Sequence, residues 1–120
     1  MTSFATPPAA PKVTPGALFG RVVEHHRKRA HIDQAVVAAA LGVTQSAYSR
    51  LEWGQSGMTV TQLWKVAACL GLPPSRLILD VERYADRLRQ QGVEIVEGKA
   101  AAAGLLIGLG ILAALIAVAN

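Results

Sequence analysis

The sequence predicts an all-α protein, in which five short helices share one core and are followed by an amphipathic helix and a C-terminal apolar helix. Capping residues recur between positions 14 and 71, with Thr or Asp before each of four apolar runs and Gly after three of them. Apolar residues within these runs repeat at helical spacing. The last twenty residues before Asn120 contain no charged side chain, which separates them from the rest of the chain.

The first fifteen residues predict a flexible arm. Residues 1–15 contain four prolines and mostly small side chains, which cannot bury enough surface to fold. The pair Thr14-Pro15 is typical of a helix start, and the first helix is predicted over 16–29. Three basic residues, at 27–29, occupy its last turn, where the helix dipole favours cations.

Four further short helices are predicted, and together with the first they form a domain over residues 16–79. They cover 34–41, 45–53, 60–70 and 74–79, with capping or initiating residues Asp33, Thr44, Thr59 and Pro73 and terminating glycines Gly42, Gly54 and Gly71. Each helix is too short to be stable alone. The predicted shared core consists of Phe19, Val23, Ile32, Val37, Leu41, Val43, Tyr48, Leu51, Val60, Leu63, Val66, Ala67, Leu70 and Leu77.

Residues 80–99 predict an amphipathic linker helix that could dimerise. Apolar residues alternate by steps of four and three along Leu77, Val81, Tyr84, Leu88, Gln91 and Ile95, which is the spacing of a coiled-coil seam. Gln91 and Gly92 interrupt this seam. Residues 93–97 alternate in polarity, so they could instead form a short strand.

Charge and cysteine content limit the classes of function. Residues 1–79 carry eight basic and three acidic side chains, a net charge of +5, whereas residues 80–99 carry four and five, a net charge of −1. A basic domain suits a polyanionic partner. The single cysteine, Cys69, favours a reducing compartment. No metal-ligand spacing, phosphate loop or nucleophile–base set is visible, so neither a metal, a cofactor nor enzymatic activity is expected.

The segment 34–54 has the pattern of two helices crossing at a tight turn. Small residues Ala38 and Ala39 allow a close crossing, and Gly42 allows the turn. On the second helix Tyr48 and Leu51 face inward. The outward side chains are Gln45, Ser46, Ser49 and Arg50, types that can bind DNA bases and phosphates.

These residues resemble the XRE/Cro-type helix-turn-helix family, the fold of many phage repressors. The resemblance covers residues 19–77 and is carried by Arg27, 32–34, 41–46, 48–52, Gly54 and 59–71. It implies a five-helix domain that is usually dimeric on double-stranded DNA. It also implies that Gln34 binds a phosphate and that the recognition surface comprises Thr44, Gln45, Ser46, Ser49 and Arg50.

Four positions depart from the pattern of this family, and one of them is Met58, which stands where proline is common. His31 stands where glycine is usual; histidine can adopt the left-handed conformation at some cost, so the turn after the first helix could also differ from that of the family. His26 stands where an apolar residue is usual. Trp53 stands where a polar or basic residue is usual, so it is predicted either to anchor a partner or to fold back over the domain edge.

Residues 100–119 predict a transmembrane helix. Twenty apolar residues at ~1.5 Å rise match the ~30 Å hydrocarbon core of a bilayer. With one residue following, the segment is expected to be a tail anchor, single-pass in the inner membrane, with the N-terminal domain in the cytoplasm. Gly104 and Gly108 form a GxxxG motif, and Gly110 adds a second small-residue stripe; both predict helix packing in lipid. A core helix in a multi-chain assembly is the alternative.

Two functions follow from this organisation. The first is a membrane-anchored, sequence-specific DNA-binding protein, a transcriptional regulator that acts as a homodimer or higher homo-oligomer. The second is a membrane-bound scaffold similar to RodZ-type cell-shape proteins, in which the helix-turn-helix domain binds a protein. DNA binding that weakens with salt would favour the first.

Overall fold

The computed structural model describes residues 10–97, which form five helices and two short strands. The all-α class and the five-helix domain are confirmed. The elements in chain order are β1 Lys12–Val13, α1 Pro15–Arg29, α2 Gln34–Leu41, α3 Gln45–Trp53, α4 Val60–Leu70, α5 Pro74–Gln90 and β2 Glu94–Ile95.

The starts of α1, α3 and α4 are set by the capping threonines read from the sequence, whereas Asp33 occupies the N-cap position of α2 without a side-chain cap hydrogen bond. The Thr14, Thr44 and Thr59 hydroxyls each accept a hydrogen bond from the backbone N–H three residues later, which satisfies a donor that the helix leaves unpaired. Gly42, Gly54 and Gly71 end their helices in the left-handed conformation. His31 also takes this conformation, with φ of 57°, so the turn after α1 keeps the left-handed residue that the sequence left open.

Helix α5 is longer than predicted and replaces the separate linker helix. It runs without a break through the predicted boundary at residue 79. Its apolar seam is buried against the domain of the same chain, with Leu77, Val81, Tyr84 and Leu88 no more than 7% exposed. The prediction that this seam joins two protomers is therefore wrong, because α1 already covers it.

The end of the predicted arm belongs to the fold. Strands β1 and β2 pair in parallel: the Glu94 N–H donates to the Pro11 carbonyl at 2.8 Å, and the Val96 N–H donates to the Val13 carbonyl at 2.9 Å. Val13 is 2% exposed. The flexible-arm prediction is therefore wrong for residues 11–15, whereas the alternative of a short strand within 93–97 is confirmed.

The core lies between α1 and the other four helices and contains most of the predicted residues. Phe19, Ile32, Val43 and Leu70 are only partly buried. Val60 is 73% exposed, so its core assignment is wrong. It is the first residue of α4 and precedes the buried residues Leu63, Val66 and Ala67 along the helix.

A polar contact also joins α1 to α5. The Nε2 atom of His26 lies 2.7 Å from Oδ2 of the buried Asp80, and the Arg76 guanidinium lies 3.2 Å from the same oxygen. The unusual His26 of the sequence is thus explained, since it faces a buried carboxylate instead of the apolar core.

Several predictions concern residues outside the described part of the chain. They are the first part of the arm, 1–9, and the apolar segment 100–119 with Gly104, Gly108 and Gly110. Of the helices within residues 10–97, none has both the length and the apolar character needed to cross a bilayer.

The left-handed glycines provide a test of close packing. A Cβ on Gly54 would lie 2.5 Å from the Ala17 backbone, whereas a Cβ on Gly42 would meet no atom within 4 Å. Gly42→Ala should therefore cost only the left-handed strain, about 1–2 kcal/mol. Gly54→Ala should cost about 1–3 kcal/mol more, because α1 and α3 must separate. Urea unfolding of a 1–97 fragment measures both, and equal costs would contradict the close approach.

His25 should make the domain less stable in mild acid. Burial is the main cause that lowers its pKa below 6.5, and the neighbouring His26 and Arg29 add to it. The unfolded chain therefore binds the proton more readily, and the free energy of unfolding should fall as pH drops below about 6.5. His25→Leu should reduce this slope, whereas His31→Asn, at an exposed site, should leave it unchanged. Urea unfolding across this pH range distinguishes the two variants.

Candidate nucleic-acid interface

Helices α2 and α3 form the predicted pair around a tight turn. The Val43 N–H donates to the Ala38 carbonyl at 3.0 Å and closes the turn after Gly42. Helix α3 buries Tyr48 and Leu51 against the domain. This burial fixes which side of α3 faces solvent, because side chains on one helix are spaced by 100°.

The predicted recognition residues lie together on the outer side of α3. Gln45, Ser46 and Arg50 are exposed and Ser49 is partly exposed. Thr44 is exposed as well, and its hydroxyl accepts a hydrogen bond from the Ala47 N–H at 3.0 Å. The structure thus groups all five residues at one surface.

Arg50 is restrained only weakly in this surface. Its Nη1 donates to the Ser46 hydroxyl at 3.3 Å, one turn back along α3. A long hydrogen bond in solvent contributes little to stability. The guanidinium can therefore exchange Ser46 for an acceptor on a base edge.

Gln34, the predicted phosphate contact, is held by a buried carboxylate. Its Nε2 donates to Oε1 of Glu52 at 3.1 Å. An amide nitrogen has two hydrogens, so one remains for an acceptor outside the protein. This contact fixes the start of α2 relative to α3, which the sequence alone did not indicate.

Glu52 is the centre of a polar network that joins three helices. Its carboxylate is fully buried and accepts from Arg27 Nε at 2.6 Å and from the Tyr48 hydroxyl at 2.5 Å. Arg27 also donates to the Ile32 carbonyl at 2.9 Å. Arg27 on α1, Gln34 on α2 and Tyr48 on α3 thus converge on one side chain.

The ionisation of this network follows from its contacts. The hydrogen bond to Glu52 is the main cause that raises the pKa of Arg27. Burial, and then the hydrogen bond to Glu52, strongly raises the pKa of Tyr48. Arg27 therefore stays charged and Tyr48 neutral at physiological pH. The sequence pattern alone assigned no role to Glu52. The signal that could have indicated its burial is an acidic residue directly after the inward-facing Leu51 of α3.

Trp53 lies against a buried arginine. The Arg21 guanidinium carbon is 4.5 Å from the centre of the Trp53 ring, a cation–π distance. Arg21 also donates to the Glu52 carbonyl at 2.7 Å and pairs with Glu24 at 3.1 Å. Trp53 is 40% exposed, so it folds partly over the domain. Its predicted role as a partner contact stays a prediction.

Two arginines are buried and therefore cannot contact a partner at the interface. Arg21 and Arg27, two of the eight basic residues of 1–79, are buried and paired with Glu24 and Glu52. Each ion pair takes one basic and one acidic side chain out of the count, so the net charge of residues 1–79 stays at +5, with six basic side chains outside these two pairs. Within the described residues, 10–97, no group of three His, Cys, Asp or Glu side chains could hold a metal ion.

A comparison with known protein families matches this part of the chain. Residues 24–77, from the middle of α1 into α5, match the family described as helix-turn-helix. No curated protein and no solved structure is similar enough to the chain to count as a match. The match covers Gln34, all of α3 and the Glu52 network. It supports a domain of the kind used by DNA-binding transcription regulators.

The Glu52 network predicts that substitutions of its members lower the free energy of unfolding by different amounts. Arg27→Leu leaves the Glu52 carboxylate buried without its cation and should cost about 3–5 kcal/mol. Tyr48→Phe removes one hydrogen bond to a charged acceptor and should cost about 1.5–3 kcal/mol. Urea unfolding of the 1–97 fragment gives both values. A smaller loss for Arg27→Leu than for Tyr48→Phe would show that the ion pair does not dominate.

Proposed function

We propose that this protein is a membrane-anchored, sequence-specific DNA-binding protein that regulates transcription. The observation that carries the proposal is the rigid pairing of α2 and α3, with the polar side of α3 outward and Gln34 beside it. Two elements fixed in this way can place one helix in a major groove while the other meets the phosphate backbone.

Each side chain of the surface has a distinct chemical role in this proposal. Arg50 presents two donors that suit the O6 and N7 acceptors of guanine, and Gln45 can pair with adenine. Ser46 and Ser49 can donate to or accept from bases and phosphates. Gln34 uses the second hydrogen of its Nε2 for a phosphate oxygen, which sets the register of the domain on the duplex.

The membrane part of the proposal depends on the sequence of residues 100–119. Nine Leu, Ile or Val side chains and no charge favour insertion by about −3 to −5 kcal/mol. The domain then remains in the cytoplasm, where DNA is available. Gly104, Gly108 and Gly110 would let two such helices pack closely. This surface becomes the main candidate for self-association, because the α5 seam is already buried.

The test is crosslinking of the full chain to DNA in cells, followed by recovery of DNA from the washed membrane fraction. Arg50→Ala should remove discrete binding peaks, because a lost bidentate contact costs about 1–3 kcal/mol of discrimination. The matched control is Arg87→Ala, an exposed arginine on α5, which should leave the peaks in place. Binding of the wild-type peak sequences should also weaken steeply with salt.

Two outcomes would count against the proposal. Identical peaks in wild type and Arg50→Ala would exclude the assigned recognition role. Absence of peaks in either protein, with the chain still in the membrane fraction, would favour a membrane scaffold whose helix-turn-helix domain binds protein.

A further inference from the structure

The parallel strand pair ties the folded domain to the chain immediately before the predicted membrane span. The Val96 N–H donates to the Val13 carbonyl, and Val93 and Ile95 are partly buried against the core. The domain therefore extends at least to Val96. Without the strands, the chain could leave the domain at the end of α5, at Gln90.

The remaining tether is short. Four residue steps separate Val96 from Ala100, where the predicted span begins, and they reach at most about 14 Å when fully extended. The headgroup layer itself takes up about 5–7 Å of this distance. A folded domain on such a tether cannot turn freely, so the end that carries the strands must face the bilayer.

The contacts of α1 identify which end this is. Strand β1 directly precedes Thr14, the residue that caps α1, so the strands lie at the N-terminal end of α1. Helix α5 runs in the opposite direction: Asp80 contacts His26 near the C-terminal end of α1, and the chain then returns to β2. The strand pair and the last turn of α5 thus form one surface, which we call the strand end.

Gln34, at the start of α2, lies away from the strand end, whereas the C-terminal end of α3 lies nearer to it. Gln34 is joined through Glu52 to Arg27, and Arg27 lies thirteen residues, or about 20 Å, along α1 from Thr14. Helix α3 approaches the first turn of α1 with its C-terminal Gly54, beside Ala17. Gln45 lies about 13 Å further along the α3 axis.

Electrostatic attraction does not explain this orientation. The exposed charges at the strand end cancel. The basic side chains are Lys12, Arg87 and Arg89, and the acidic ones are Asp86, Glu94 and Glu97. Arg89 is also paired with Asp86 at 3.2 Å. Such a surface gains little from anionic lipids, so the tether, and not charge, must impose the orientation.

We propose that the strand end is a membrane-contact surface, which lies against the lipid headgroups and presents Gln34 and the N-terminal end of α3, with Gln45, to DNA on the side away from the bilayer. The inference rests on the proposed function, because it requires residues 100–119 to span the membrane. Beyond the proposed function, the inference specifies which face of the domain meets the lipid, and it names the short tether as the cause. The DNA is then held at a fixed side of a domain that cannot rotate.

The test places a fluorophore at either end of the domain in the full chain. Lys12→Cys marks the strand end and Asp33→Cys marks the start of α2; both positions are exposed, and Cys69→Ala removes the native thiol. The protein is reconstituted in vesicles of phosphatidylcholine containing a lipid spin-labelled in its headgroup. Quenching should be at least several-fold stronger at Lys12 than at Asp33. Added phosphatidylglycerol should not change the ratio, because attraction to anionic lipid is not the cause.

A longer tether provides the matched control. A Gly-Ser insertion of about twelve residues between Glu97 and Gly98 adds a mean reach of about 19 Å, and it should lower quenching at Lys12 to the level at Asp33. Equal quenching at both positions without the insertion, in protein that resists an alkaline wash, would overturn the orientation but leave the anchor. Release of the protein by that wash would overturn the orientation and the membrane part of the proposed function together.

Discussion

The buried carboxylate of Glu52 is the constraint on which the rest of the domain depends. An ionised carboxylate without water must find partners within the protein, because its transfer to an apolar interior costs many kcal/mol. Here the partners come from three helices, with Arg27 on α1, Gln34 on α2 and Tyr48 on α3. Any relative movement of these helices breaks a charge-assisted hydrogen bond. The pair of helices proposed to meet DNA is therefore stiffened by its polar centre as well as by the apolar core.

This arrangement separates the residues that hold the interface together from those proposed to read DNA. Arg27 and Gln34 are close in sequence and both polar, yet Arg27 is buried whereas Gln34 reaches the surface. Arg21 similarly holds the Glu52 carbonyl and the Trp53 ring. Cations in the interior position α3, while Arg50 on its outer side stays available for a base. A count of basic residues would place all of these cations in one class.

The apolar pattern of helix α5 is compatible with two structures, a coiled coil between chains and packing within one chain. Its apolar residues have the spacing of a coiled-coil seam, but α1 of the same chain covers them. The seam therefore completes the domain and then directs the chain back to β1. The pairing of β2 with β1 also shortens the stretch of chain between the folded domain and residues 100–119. In the proposed membrane-anchored protein, this local pairing would limit how the domain can face the lipid.

Much of the domain could be predicted from the sequence because its signals are local. Helices α3 and α4 begin directly after Thr44 and Thr59 and end directly before Gly54 and Gly71. Each of these signals acts on the helix turn next to it. The outward position of Gln45, Ser46, Ser49 and Arg50 follows from the same helical period, once Tyr48 and Leu51 face inward. The apolar character of residues 100–119 is likewise a property of the sequence alone.

What only the tertiary structure decided depends on contacts between distant residues. The partners of the Glu52 carboxylate lie up to 25 residues away, and the contact between His26 and Asp80 spans 54 residues. A periodic pattern in the sequence cannot indicate such pairs, because the two residues meet only after their helices have packed together. For the same reason the sequence could not tell that the α5 seam meets its own domain or that Val13 pairs with Ile95. The sequence determined the helices and the surface of α3; the packing decided which charges are buried and where the chain leaves the domain.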